Sequence, residues 1–217
     1  MSVSEARKAA TAGPRKTWLI LGVAAVVLIG AMAASTKVVV IGSADDVRKK
    51  VFSKDEYGAA QFPAVQKYVL EHAVEAKELG TAIAADPAVA GKKYGVETGT
   101  GPVIPITFTG TAGEGSSGIY KVAVDGLPDG TLVRVQMGPA INGTDLRDAS
   151  GTIKFGQFTN QIEFQDAGSA LNNEMKKQVL AGVDAANLTG KKLTVTGVFK
   201  LINPKGWLVT PVKVAVE

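Results

Sequence analysis

Apolar residues change texture along this chain, and each texture predicts a different element. Residues 18–34, WLILGVAAVVLIGAMAA, form one uncharged apolar run behind Arg7, Lys8, Arg15 and Lys16. At a rise of about 1.5 Å per residue, a helix over this run is at the short end of what crosses a hydrocarbon core of roughly 30 Å. It has no polar stripe, so it does not read as a core helix of a globular domain. The basic residues ahead of it predict a cytoplasmic N-terminus and export of the remaining chain. As a signal peptide it offers Ala31-Met32-Ala33 for cleavage before Ala34. As an uncleaved anchor it carries Trp18 at the headgroup level, and the apolar Val38–Ile41 that resumes soon after favours this reading.

Helical spacing comes next. Lys37–Gly42 predicts a short strand or stalk, and Asp45–Phe52 the start of a short helix with acids in its first turn. From Phe62 to Ala85, apolar positions at Val65, Val69, Ala76, Leu79 and Ile83 predict a longer helix, with Pro63 at its first position and Asp86-Pro87 as its end. Residues 87–102 read as a loop.

Period-two patterning then takes over. Val103–Gly110, Gly118–Val124 and Thr131–Met137 predict strands, and Thr152–Gln165 less regular strand segments broken at Gly156. Ala167–Ala186 predicts an amphipathic helix. Leu193–Ile202 and Trp207–Val216 predict a closing hairpin around Asn203-Pro204-Lys205-Gly206. The expected fold class is α+β: a membrane helix over 1–35, a helical extension and linker over 36–100, and a β domain over 101–217. The order β-β-β-α-β-β matches an OB-like, five-stranded antiparallel barrel with a helix between strands three and four. A small antiparallel sheet covered by helices on one face is the alternative.

Composition narrows the chemistry. The chain of 217 residues contains no cysteine, which excludes disulfides, thiolate metal sites and lipid attachment through a cysteine. The net charge of +4 sits almost wholly in the leader. Residues 36–100 hold nine basic and nine acidic groups, and residues 101–217 eleven and ten. The exported part has no basic excess to neutralise phosphates, so no nucleic-acid partner is expected.

Motif matches are mostly bland. Gly113–Gly118 spells G-x-G-x-x-G, but a predicted strand follows where a dinucleotide site needs a helix, so it reads as a hairpin loop. His72 is the only histidine and falls on the apolar stripe, where it reads as packed. With Glu75 it could give two metal ligands, but no other imidazole or thiolate completes a transition-metal site, and no G-x-S-x-G elbow accompanies it to support a Ser-His-Asp triad. The tripeptides Asn142-Gly143-Thr144 and Asn187-Leu188-Thr189 fit a glycosylation sequon but read as turn and helix-ending residues. No cofactor and no catalytic residue is assigned.

The informative stretch is Val135–Asn172. It gathers Gln136, Asn142, Thr144, Arg147, Asp148, Gln157, Asn160 and Gln161, donors and acceptors suited to a small neutral hydroxylated ligand or peptide backbone. Phe155, Phe158 and Phe164 add an aromatic surface. The competing reading is that these amides satisfy the backbone of an irregular connection.

VQMGPAINGTDLRDASGTIKFGQFTNQIEFQD, followed by ALN and later by TGKKLTVTGVFKL, resembles an uncharacterised bacterial family of predicted periplasmic lipoproteins, from about Val38 to the C-terminus. Members of that family are often encoded beside ribose-type sugar ABC importers. The resemblance therefore implies an accessory role in sugar uptake and carries over no catalytic residue. The chain departs from the lipoprotein pattern in having no cysteine.

The resulting expectation is a non-enzymatic periplasmic binding or scaffold protein tethered to the inner membrane, with sugar-importer components or a small neutral hydroxylated ligand as partner. The alternative is a carbohydrate-active envelope enzyme drawing a carboxylate pair from Asp145, Asp148, Glu163 and Asp166. The topology is directly testable. Alkaline phosphatase fused after position 40 is expected to be active in living cells, and an inactive fusion would refute export of the domain.

Overall fold

A computed structural model describes residues 14–36 and 52–217. The chain divides into two units, Met1–Lys50 and Val51–Glu217. The expected stalk at 37–42 and the helix start at 45–51 lie outside the described residues.

In the first unit, helix α1 (Pro14–Ser35) contains the apolar run, and its described side chains, from Trp18 on, are all exposed. Trp18–Ser35 is long and apolar enough to cross a membrane. Ser35 and Thr36 hydroxyls donate to the Met32 carbonyl at 3.1 and 2.6 Å, satisfying a carbonyl that the helix end would leave open.

The second unit opens with helix α2 (Lys54–His72), which starts eight residues before Phe62. Its start signal is Ser53, whose side chain accepts from the Glu56 N–H, with Asp55 and Glu56 in the first turn. Pro63 therefore sits inside the helix. The helical period runs on past His72, but the chain leaves the helix at Ala73. Val74-Glu75 form the two-residue strand β1, and α3 (Ala76–Ala85) follows. The break turns Leu79 and Ile83 back into the same core as Phe62 and Val69. A single straight rod would carry them away from it.

Asp86 ends α3 and also starts α4 (Pro87–Tyr94): its Oδ1 accepts from the Ala88 and Val89 N–H groups at 2.8 and 3.0 Å, with Pro87 in the first turn. The expected loop over 87–102 is thus helical through Tyr94. The Gly and Thr content that reads as loop belongs to residues 95–101.

Strands β2 (Val103–Ser116), β3 (Ile119–Ala123), β4 (Leu132–Gln136), β5 (Lys192–Lys200) and β6 (Gly206–Val216) close a barrel in the order β2-β3-β4-β6-β5, with β5 returning to β2. The long β2 makes closure possible. Val103–Thr111 pair with β5, and Thr111–Ser116 pair with β3 across a bulge at Ala112–Gly115. Two features depart from the expected five antiparallel strands. β4 runs parallel to β6, because the long α-helical connection lets β6 enter beside β4 in the same direction. The short β1 adds a sixth strand parallel to β2, making the sheet mixed.

Inside, Trp207 stacks on Phe199 at 5.0 Å, and both are fully buried with Ile104, Ile106, Val135 and Val209. Trp207 resolves its one polar atom by donating to the Pro204 carbonyl at 2.9 Å. Phe62, Val65, Val69, Leu79 and Ile83 belong to this same core, which explains why Val103–Ile106 are buried without alternation.

Residues 152–165 are not strands. A 3-10 turn at Phe155–Gln157 leads into α6 (Gln161–Met175), which runs into a π-helical turn at Lys176–Leu180. Asn160 accepts from the Glu163 N–H, and Glu163 accepts in return from the Thr159 N–H, both at 2.9 Å. This Asn-x-x-Glu start outweighs the β-type aromatic spacing. Helix α6 lies between the third and fourth barrel strands, as the sequence order predicts, and packs on α2. The approach is close enough that a Cβ on Gly58 would meet the Ala170 carbonyl at 2.6 Å.

The G-x-G-x-x-G segment is the β2–β3 hairpin. Gly118 has φ +77°, and a Cβ there would lie 1.2 Å from the Gly138 carbonyl oxygen. Gly118→Ala is expected to cost at least ~2 kcal/mol. A lower urea midpoint with unchanged slope is the expected readout. An unchanged midpoint would contradict this packing.

Candidate functional site

The site is built on the connection between β4 and α6. Gln136, almost completely buried, fixes its start: Nε2 donates to the Asn142 carbonyl at 3.0 Å and to Thr210 Oγ1 at 2.8 Å. Its Oε1 accepts from the Asn142 N–H at 2.8 Å. From α6, Asn172 Nδ2 donates to the Gly143 carbonyl at 2.9 Å. These bonds satisfy otherwise orphaned backbone groups and hold the loop in one path.

That path delivers the one-turn helix α5 (Asp145–Asp148), anchored by the fully buried Leu146. Arg147 Nε meets Asp148 Oδ1 at 2.8 Å, and Nη1 donates to the Phe164 carbonyl at 3.1 Å. The guanidinium lies over the Phe164 ring, 3.7 Å from its centroid. Thr144 Oγ1 donates to Asp148 Oδ2 at 2.8 Å. Lys200, the last residue of β5, places Nζ 3.5 Å from Asp148 Oδ2 and 3.8 Å from Asp145 Oδ1.

Beside this cluster opens a cavity of about 400 Å³. Its walls come from the 96–100 loop, α5 with Thr144, the Gly151–Phe155 segment, Phe164 and Lys200. Phe155, half exposed, meets Phe164 edge-on at 5.7 Å. The volume lies within the ordinary range for small-molecule sites. Burial raises the Asp145 carboxyl to about 6, Lys200 opposes the rise and Asp148 adds to it.

Of the residues picked from sequence, Thr144, Arg147 and Asp148 come together at this cavity. Gln136 does not line it and is spent on the Asn142 clamp. The Asn142 and Gln161 side chains are exposed. Gln157 closes its own turn, accepting from the Lys154 N–H and donating to the Thr152 carbonyl. Asn160 caps α6. The backbone-satisfying reading therefore describes Gln136, Gln157 and Asn160.

Among the carboxylates, Glu163 belongs to the α6 cap and Asp166 pairs with Lys54 at 2.8 Å, whereas Asp145 and Asp148 share Lys200. His72 is exposed at the end of α2, stacked on Tyr68 at 4.1 Å. It is not a core residue, because α2 ends there.

Sequence reasoning missed Lys200 and the 96–100 wall. Lys200 lies at the edge of an apolar strand, and only its barrel pairing with Val103 brings it to this rim.

Fold and site together define an OB-type barrel with a helical layer and a charged cavity at its rim. The chain belongs to the family described as predicted periplasmic lipoprotein (DUF2291), whose pattern matches residues 24–215. The crystal structure of an OB-fold protein from Thermotoga maritima is similar, with a TM-score of 0.61 and 20% identity. The likeness covers 77% of this chain and 100% of that one, and it establishes the fold alone. No curated protein matches the chain. Family membership and helix α1 support a periplasmic, membrane-associated location.

Asp145 makes stability fall with pH. Its folded value exceeds the ordinary 3.8, so the folded state holds the proton more tightly. Stability is therefore lost as pH rises through that interval toward about 6. Asp145→Asn is expected to stabilise the protein by about 2 kcal/mol at pH 7.5, with the gain vanishing toward pH 4. Denaturant titrations across this range check it, and a pH-independent difference would refute it.

Proposed function

We propose that this chain is a non-enzymatic periplasmic binding protein held by α1 as a single-pass anchor with a cytoplasmic N-terminus. Its rim cavity takes a small hydroxylated ligand, and the protein serves as an accessory to a sugar ABC importer. The observation that carries the reading is Arg147: buried, oriented by Asp148 and the Phe164 ring, and facing an open cavity of ligand size. A side chain held this firmly recognises a partner without first losing rotamer freedom. Phe155 supplies an exposed ring on which a sugar can stack.

The absence of a cysteine supports attachment through α1 rather than through a lipid. The importer role rests on the family resemblance alone. A carboxylate-pair hydrolase fits less well, because Asp148 is committed to Arg147 and Thr144 and Asp145 does not line the cavity.

The test is a thermal-shift screen of the full-length chain in nanodiscs against sugars, sugar acids, sugar phosphates and polyols. A ligand at a hundred times its Kd adds about 2.7 kcal/mol, a shift of several degrees. The shift is expected to disappear in Arg147→Lys, which cannot reproduce the fork. No stabilisation by any member would refute the binding role. Failure to recover transporter subunits from crosslinked membranes, with normal uptake in a deletion strain, would refute the importer role.

A further inference from the structure

Resting on that binding role, we infer that the ligand of the rim cavity is an oxyanion on a hydroxylated carbon skeleton, an acidic sugar or polyol acid, bound between Arg147 and Lys200. The argument is a donor and acceptor count over the cavity wall. Arg147 spends Nε on Asp148 and Nη1 on the Phe164 carbonyl, while Nη2 has no partner among the described residues. Its side chain is 9% exposed, and Nη2 itself reaches the water of the cavity, which a ligand oxygen replaces on binding.

Lys200 is in the same position. Its side chain is 15% exposed, and neither carboxylate comes closer than 3.5 Å, long for a charge-assisted bond. Lys154, also in the cavity wall, makes no Nζ hydrogen bond among the described residues.

At the corner beside Arg147 the acceptors are spent, and among the described residues Glu97 on the 96–100 loop is the one other carboxylate lining the cavity. Both oxygens of Asp148 are taken, by Arg147 on one side and by Thr144 and Lys200 on the other. A cavity with spare donors on a guanidinium and an ammonium is completed by a carboxylate or phosphate. The hydroxyls of a neutral sugar also accept from these donors, but without the charge assistance that an oxyanion supplies. The Phe155 ring and the Thr98 and Thr100 loop, next to this corner, suit the hydroxylated remainder.

The added negative charge has a balancing proton within reach. Asp145 is faced by Lys200 from β5 and by Asp148 on its own helix. Glu97 and Lys154 face the same cavity from the loops. Glu163 and Asp166 of α6 are engaged with the Thr159 N–H and Lys54. Protonation of Asp145 raises the net charge of the wall by one and strengthens its hold on an anion, so affinity rises as pH falls toward 6.

The test is calorimetric titration of the full-length chain in nanodiscs with matched pairs: glucuronate and glucose, galacturonate and galactose, gluconate and sorbitol, ribose 5-phosphate and ribose. At least one acidic member is expected to bind about tenfold or more tightly than its neutral twin. A preference confined to ribose 5-phosphate identifies phosphate as the oxyanion, and one confined to the acids identifies carboxylate. Either supports the inference. Lys200→Gln is expected to erase the preference, Lys200→Arg to retain it, and Asp145→Asn to flatten its pH dependence.

Neutral members binding as tightly as acidic ones would overturn the inference while leaving the binding role intact. Binding to none of the pairs, with no hit in the wider screen, would overturn both. If Lys200→Gln fails to fold, the pH dependence of the wild type still decides: acidic and neutral members with the same flat profile contradict the inference.

Discussion

Lys200 closes β5 opposite Val103, and its side chain is mostly buried, so its ammonium has lost much of its water. A cation in that position is tolerated only beside negative charge. The barrel strands supply none at this rim; the carboxylates arrive from α5, in the connection that leads to α6. The barrel register and the path of that connection are thus joined through one group. Register sets where Lys200 stands, and the Gln136 and Asn172 bonds bring Asp145 and Asp148 to it.

Such a cluster contributes little net stability, since desolvation offsets much of the attraction. Its cost is visible at Asp145, which burial pushes to about 6 despite a lysine beside it. What the cluster contributes is orientation. Arg147 is gripped at Nε by a carboxylate, at Nη1 by a backbone carbonyl and on its face by an aromatic ring. A purely structural arginine would turn its remaining edge toward another protein group. Here that edge is left to a cavity.

How much of this was legible in the sequence depended on the range of the interactions. The N-terminal apolar helix, the five barrel strands and the hairpin at Asn203–Gly206 follow from local period and turn chemistry. The start of α2 at Ser53 and of α4 at Asp86 were written in capping residues that segment-wide composition obscured. Residues 152–165 misled because Phe155, Phe158, Ile162 and Phe164 alternate like a strand, while the decisive signal was the single Asn160–Glu163 cap. Arg147 and Asp148 were readable as neighbours in sequence. Lys200 was not, since only strand pairing brings it across more than fifty intervening residues.

The aromatic residues of that misleading stretch have a structural consequence of their own. Phe52, the first described residue of the barrel unit, meets Tyr57 at 5.2 Å and Phe158 at 6.0 Å. Phe158 meets Phe164 at 5.4 Å, and Phe164 carries the Arg147 guanidinium. Edge and tilted ring contacts of this kind favour particular geometries and resist sliding. Phe52 is therefore packed, through Phe158, into the wall that orients Arg147. Removing residues before Lys54 to make a shorter protein would strip Phe52 from this stack. The orientation of Arg147 thus depends on a run of ring contacts that begins at Phe52.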